Sequence, residues 1–238
     1  MKNLFLISTI MILNWSLTHG QTQDEYINSI KKNYHATDIK EQFKDYDFSR
    51  LIFPNQDFLG FIGSNYKRIK IFYNSVVKDK ASPYQYNIKG LTVVGNNKCD
   101  FSGELTIKEV LESKRMELGL DLMYESAGFK SQGIMIADYE YNEDKTQNHV
   151  GQFSGQMIIW WLIDKHGILH INDVNNYSDS YKNNQHIGTW TEYGKTDSKV
   201  CNWGVRRIPN SGDLDIGAGE FSVNPKYKNL GWEIYRAY

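Results

Sequence analysis

Gln152-Phe153-Ser154-Gly155-Gln156-Met157-Ile158-Ile159-Trp160-Trp161-Leu162-Ile163-Asp164-Lys165-His166-Gly167 is the stretch that decides how this chain folds. Successive side chains of a strand point to opposite faces. Met157, Ile159, Trp161 and Ile163 therefore fall on one side, and Ile158, Trp160 and Leu162 on the other. Both faces need cover, as in the centre of a sheet. Asp164-Lys165-His166-Gly167 then has the composition of a tight hairpin, with glycine free to take the left-handed conformation. The next stretch, 168–174, is expected to return antiparallel.

The same grammar extends in both directions. Residues 101–108 alternate apolar and polar, as do 116–122, where Met116, Leu118, Leu120 and Leu122 oppose Glu117, Gly119 and Asp121. Further strands are expected at 68–77, 86–94, 133–141, 186–193, 200–208 and 231–235. Clusters such as Gly95-Asn96-Asn97-Lys98, Gly194-Lys195-Thr196-Asp197 and Pro209-Asn210-Ser211-Gly212 separate them. Many short strands with hairpin links imply a mainly β chain, an antiparallel meander forming a barrel or a sandwich, with a calycin-like barrel among the candidates. Phe-Ser-Gly occurs both at 101–103 and at 153–155, a weak internal echo.

Only residues 24–46 have helical character. Tyr26, Ile27, Ile30 and Tyr34 share one face, with Asp24 placed to cap the start. Asp38 and Glu41, with Ile39 and Phe43, suggest a second short turn. The expected organisation is an N-terminal helical segment over 21–56 that packs on the sheet and covers the Trp160 face. A single β-rich domain over 57–238 follows it.

Ahead of the helix, Lys2, the apolar stretch 4–17 and Thr18-His19-Gly20 form the three parts of a cleavable signal peptide, residues 1–20. The apolar run is short for crossing ~30 Å of hydrocarbon. No cysteine stands near the cleavage site to carry a lipid. The expectation is an exported, soluble protein, periplasmic or secreted, not a lipoprotein, with no membrane span after cleavage. Residues 1–20 hold one lysine and no acid, so the remainder carries 26 basic against 28 acidic side chains. That balance gives no field for nucleic acid or an anionic membrane. Cys99 and Cys201 are the only cysteines, and in an oxidising compartment they are expected to pair as one disulfide.

Chemistry-bearing patterns are sparse. The chain has no Gly-x-Ser-x-Gly elbow and no phosphate-cradling glycine loop, and neither cysteine stands in a nucleophile context. His166 and His170 are four apart, but the hairpin denies that spacing its helical meaning. Residues 173–179 resemble a calcium loop without its central glycine and final glutamate. Catalytic residues, metal ligands and cofactors are accordingly expected to be none. Glu104, Glu117, Asp121 and Glu125 lie on strands or their ends, which leaves open a paired-carboxylate hydrolase acting on glycan or peptide. Acids alternating with apolar residues are also what the wet face of a sheet looks like.

The most unusual stretch is 206–221, which carries Arg206, Arg207, Asp213, Asp215 and Glu220 among three glycines, between Trp203 and Trp232. Those residues, with Trp190, form the expected binding surface, because carboxylates and tryptophans can hold sugar hydroxyls and stack on rings. The structural alternative is an ordered loop stapled by Arg–Asp pairs. Gly188-Thr189-Trp190-Thr191 resembles the Gly-x-Trp elements of lipocalins and avidins. There the element opens the first strand, whereas here it falls late; the resemblance covers four residues and implies no ligand or site. The reading is an exported, non-enzymatic ligand-binding or interaction module, its partner a small ligand, a carbohydrate or a protein, and not nucleic acid. Its alternatives are a secreted hydrolase and an inhibitor or envelope-associated protein-binding domain.

Overall fold

A computed structural model describes residues 22–235 except Asn55 and Ile234; the expected signal peptide, residues 1–20, lies outside them. Among the described residues eleven strands join one antiparallel sheet. They are β1 (Tyr34–Asp38), β2 (Phe58–Ile62), β3 (Lys67–Arg68), β4 (Lys70–Lys78), β5 (Gln85–Val94), β6 (Asn97–Ser113), β7 (Ser131–Glu143), β8 (Gly151–Ile163), β9 (Leu169–Ile171), β10 (Asn183–Glu192) and β11 (Ser198–Val205). The order is β3-β2-β11-β10-β8-β7-β6-β5-β4, with β1 added to β6 and β9 to β8. The sheet curls into a half-barrel, the realised form of the expected meander. Its concave face holds the main core, from Tyr73 and Phe101 through Met157 and Trp161 to Trp203. No helix among the described residues is long and apolar enough to cross a membrane.

Strand β8 is covered on both faces, as its sequence requires. Met157, Ile159, Trp161 and Ile163 enter the main core. On the convex side Ile158 and Trp160 meet Tyr26, Ile27 and Ile30 of helix α1 (Gln23–Lys31), together with Ile134 and Ile136. Burying each helix side chain contributes about 2 kcal/mol before entropy is counted. The cap is Thr22, not Asp24. Its side chain accepts from the Glu25 amide while the Glu25 carboxylate accepts from the Thr22 amide, satisfying two otherwise orphaned donors. The helix stops before Tyr34, which opens β1, and Asp38 binds the amides of Lys40 and Val110.

Two expected strands do not form. Residues 116–122 alternate in sequence yet lie in an exposed loop ending in a 3-10 turn, because Gly119, Asp121 and Leu122 all take positive φ. Positive φ breaks the extended path that period-two alternation assumes. Of the other, residues 231–233 form a turn that buries Trp232. Two strands were not expected: β1, inside the stretch expected to be helical, pairs with β6, and β2, Phe58-Leu59-Gly60-Phe61-Ile62, buried throughout, pairs with β11.

The expected disulfide is also absent. Cys99 and Cys201 are separate buried thiols. Three strands, β7, β8 and β10, lie between their strands in the sheet. Cys99 is engaged by Asn97 and by the Asn148 carbonyl, and Cys201 sits in the main core. Compartment chemistry permits a bond but cannot move two strands together. The Phe-Ser-Gly echo, by contrast, has a packing cause. A Cβ at Gly103 would come within 2.0 Å of the Glu140 carbonyl of β7, and one at Gly155 within 2.1 Å of the Ile187 carbonyl of β10, so each glycine lets a neighbouring strand approach closely.

Candidate functional site: a cleft at the mouth of the half-barrel

Strand ends from β2, β5, β7, β8, β10 and β11 meet at one rim of the half-barrel, around a cleft of ≈ 770 Å³. That volume lies within the range of small-molecule sites. Ile62, Ile69, Val94, Phe153, Trp190 and Val200 supply the apolar part of the lining, beside the polar Ser64, Asn65, Thr92, Asn97 and Ser198. One acidic residue lies within, Glu143, the last residue of β7 and only 5% exposed.

Glu143 is held by groups from three other strands. Thr92 Oγ1 of β5 donates to Oε1 at 2.5 Å. The Gly151 amide of β8 and the Trp190 indole Nε1 of β10 each donate to Oε2 at 2.9 Å. Gly151 has to be glycine here, since a Cβ would come within 2.2 Å of the Thr191 carbonyl and 2.7 Å of the Trp190 ring. A buried carboxylate survives only if hydrogen bonds or opposite charge replace its water. All three donors are neutral, and no ion pair among the described residues includes Glu143. Its charge is felt nearby: burial first, then Glu143, pushes the thiols of Cys99 and Cys201 up.

The rim is polar. Lys67, Lys199, His149 and Glu192 edge the cleft. Lys199 Nζ rests 4.9 Å from the centre of the Trp190 ring, while Glu192 pairs with Lys195 at 2.5 Å, which holds its carboxyl below the usual range.

Phe153 forms the boundary with the core, its ring meeting Trp203 edge-on at 6.1 Å. Beyond it lies a buried polar chain. His186, stacked on Trp203 at 4.4 Å, has Nδ1 at 2.9 Å from the Asn184 carbonyl and Nε2 at 2.9 Å from the Tyr73 hydroxyl. A carbonyl only accepts, so Nδ1 carries the proton and Nε2 accepts from Tyr73. Tyr141 then donates to Tyr73 across 3.1 Å. Burial holds His186 neutral, its pKa down to about 3, and raises Tyr73, Tyr139 and Tyr141.

The residues expected to form a binding surface do not converge. Trp190 lines the cleft, whereas Trp203 is in the main core and Trp232 in a separate cluster with Leu59, Phe61, Leu214 and Phe221. Segment 206–221 packs its apolar residues on the convex side of β2 and is stapled internally. Arg207 Nη1 meets Asp215 Oδ2 at 2.5 Å, and Asp215 Oδ1 accepts the amides of Gly217 and Ser222. Arg206 and Arg207 also donate to the carbonyls of Asn176 and Asp179, binding residues 173–179 to segment 206–221. Asp213 is engaged by Lys226 and Tyr227; Glu220 is exposed. Among the strand carboxylates, Glu104 faces Glu140 across β6 and β7, Glu117 binds Asn175, and Asp121 and Glu125 sit in exposed turns.

Glu143 was missed, though the sequence carries a signal for it. Tyr139, Tyr141 and Glu143 fall in one phase of the alternation, so an acid occupies a position on the core side of the strand. Thr92 and Gly151 leave no comparable mark. Comparison with known protein families, characterised proteins and solved structures finds no match to this chain.

Proposed function

We propose that this protein is an exported, non-enzymatic binding module that takes a small, largely apolar ligand in the cleft at the mouth of the half-barrel. The observation that carries the reading is the cleft itself: ≈ 770 Å³, with Phe153, Trp190 and four aliphatic side chains in its lining and a buried, hydrogen-bonded carboxyl group. Sites of this kind bind by burying ligand surface and fix orientation with a few placed polar groups. Export rests on the sequence of residues 1–20.

The test is a thermal-shift screen of sugars, lipids and small aromatic compounds against the protein and its Val200→Trp variant. Val200 lines the cleft and is 49% exposed, so an indole there fills the mouth without entering the core. Ligand at a hundred times its Kd stabilises a folded protein by about 2.7 kcal/mol. Hits that vanish in Val200→Trp support the cleft; hits that persist there place binding elsewhere and refute it.

A further inference from the structure

Glu143 supplies more than shape to the cleft. Its carboxyl group is 5% exposed and, among the described residues, accepts hydrogen bonds from neutral donors alone. Among the described residues Oε1 accepts only from Thr92, and both Glu143 and Thr92 line the cleft. A carboxylate oxygen has two lone-pair sites, so Oε1 retains acceptor capacity beside the cavity. Lys67 and Lys199 are exposed at the rim, where solvent screens them, and Lys199 lies over the Trp190 ring. Within the cavity the uncompensated charge is therefore negative. Phe153 and Trp190 add aromatic surface, which attracts organic cations.

We propose that the cleft selects a protonated amine with an apolar body, its ammonium donating to Glu143 and its hydrocarbon lying along Phe153 and Trp190. The inference rests on the cleft reading above and deepens it. Desolvating an ammonium is offset only where it meets opposite charge at hydrogen-bond distance, and Glu143 offers that charge. A carboxylate ligand would instead place like charges together in a poorly solvated space, and a neutral alcohol would gain a hydrogen bond without charge pairing. The lysine rim is what would favour an anion, so an anionic probe belongs in the test.

The experiment follows the indole N–H resonance of Trp190, assigned by its loss in Trp190→Phe, in the folded full chain at pH 7. It is titrated with 2-phenylethylammonium, 2-phenylethanol and phenylacetate, which share an aromatic body and differ in charge. The expected order is the ammonium tightest, the alcohol roughly tenfold weaker, and phenylacetate weaker still. Glu143→Gln, close in size and still able to accept from Trp190 and Gly151, is expected to bring the ammonium down to the level of the alcohol. Equal affinity for ammonium and alcohol, or a preference for phenylacetate, overturns cation selection while leaving a ligand cleft in place. If no probe moves the Trp190 resonance the cation proposal fails as well, and the Val200→Trp comparison separately judges the cleft. The ranking on the unmodified protein is decisive even if Glu143→Gln does not fold.

Discussion

His186 makes the stability of this protein depend on pH in a defined window. The imidazole is fully buried against Trp203 and Tyr73, and burial lowers its pKa to about 3 from the ordinary 6.5. Below pH 6.5 the unfolded chain takes up a proton that the folded chain refuses. The contribution is therefore fully present above pH 6.5 and is lost as pH falls toward 3, at about 1.4 kcal/mol per pH unit. At pH 5 the loss amounts to about 2 kcal/mol, and by pH 3 to roughly 4 kcal/mol, close to the whole stability of a marginal domain. The assay is urea unfolding followed by tryptophan fluorescence at pH 7.5 and pH 5, in the protein and in His186→Phe. The variant keeps a ring beside Trp203 but cannot titrate. It loses about 1–3 kcal/mol at pH 7.5 because the Tyr73 hydroxyl is left without its acceptor. Carboxylates titrate equally in both proteins, so the difference between the two pH dependences isolates His186. The variant is expected to lose about 2 kcal/mol less than the unmodified protein between the two pH values. Parallel losses would show that the buried imidazole is not the titrating group and refute the reasoning; His186→Gln repeats the comparison if the phenylalanine variant does not fold.

Three further expectations come from the packing. Asp215→Ala leaves the half-buried Arg207 guanidinium without its carboxylate, with the Asp179 carbonyl as its remaining acceptor, and frees two amides, so it should destabilise by about 2–3 kcal/mol in urea; an unchanged midpoint would mean that segment 206–221 is not stapled through this carboxylate. Gly188→Ala would put a Cβ within 2.1 Å of the Ser154 carbonyl and 2.5 Å of the Tyr139 hydroxyl. A loss of about 3 kcal/mol or failure to fold is expected, and wild-type stability would contradict the close pairing of β8 and β10. Finally, both cysteines should alkylate in denaturant without any reductant and resist alkylation when folded, as two buried thiols do. Mass spectrometry that finds neither modified in denaturant would restore the disulfide.

Alternation of the kind seen in Phe101 to Lys108 and the two-faced run of β8 were enough to indicate an antiparallel, mainly β chain with an N-terminal helix as cover. Period-two patterning and helical spacing are local, and burial of one or both faces leaves its mark directly on residue choice. The failures have equally local beginnings but distant causes. Residues 116–122 alternate as cleanly as any strand, yet positive φ at Gly119, Asp121 and Leu122 folds them into a loop, because no neighbouring strand is there to pair with them. Strand β2 becomes a strand by pairing with β11, about 140 residues along the chain, which no local pattern announces.

The site divides the same way. The sequence alone determined that Trp190 sits late in a strand, that Glu143 shares its phase with Tyr139 and Tyr141, and that 206–221 has the composition to staple itself. Only the tertiary structure decided that Thr92, Glu143, Gly151 and Trp190 converge on one carboxylate at the barrel mouth, and that Trp203 and Trp232 belong to different cores. The reason is physical: periodicity fixes which face a side chain takes, whereas curvature and strand order fix which faces meet. Both of those depend on contacts between residues far apart in the chain.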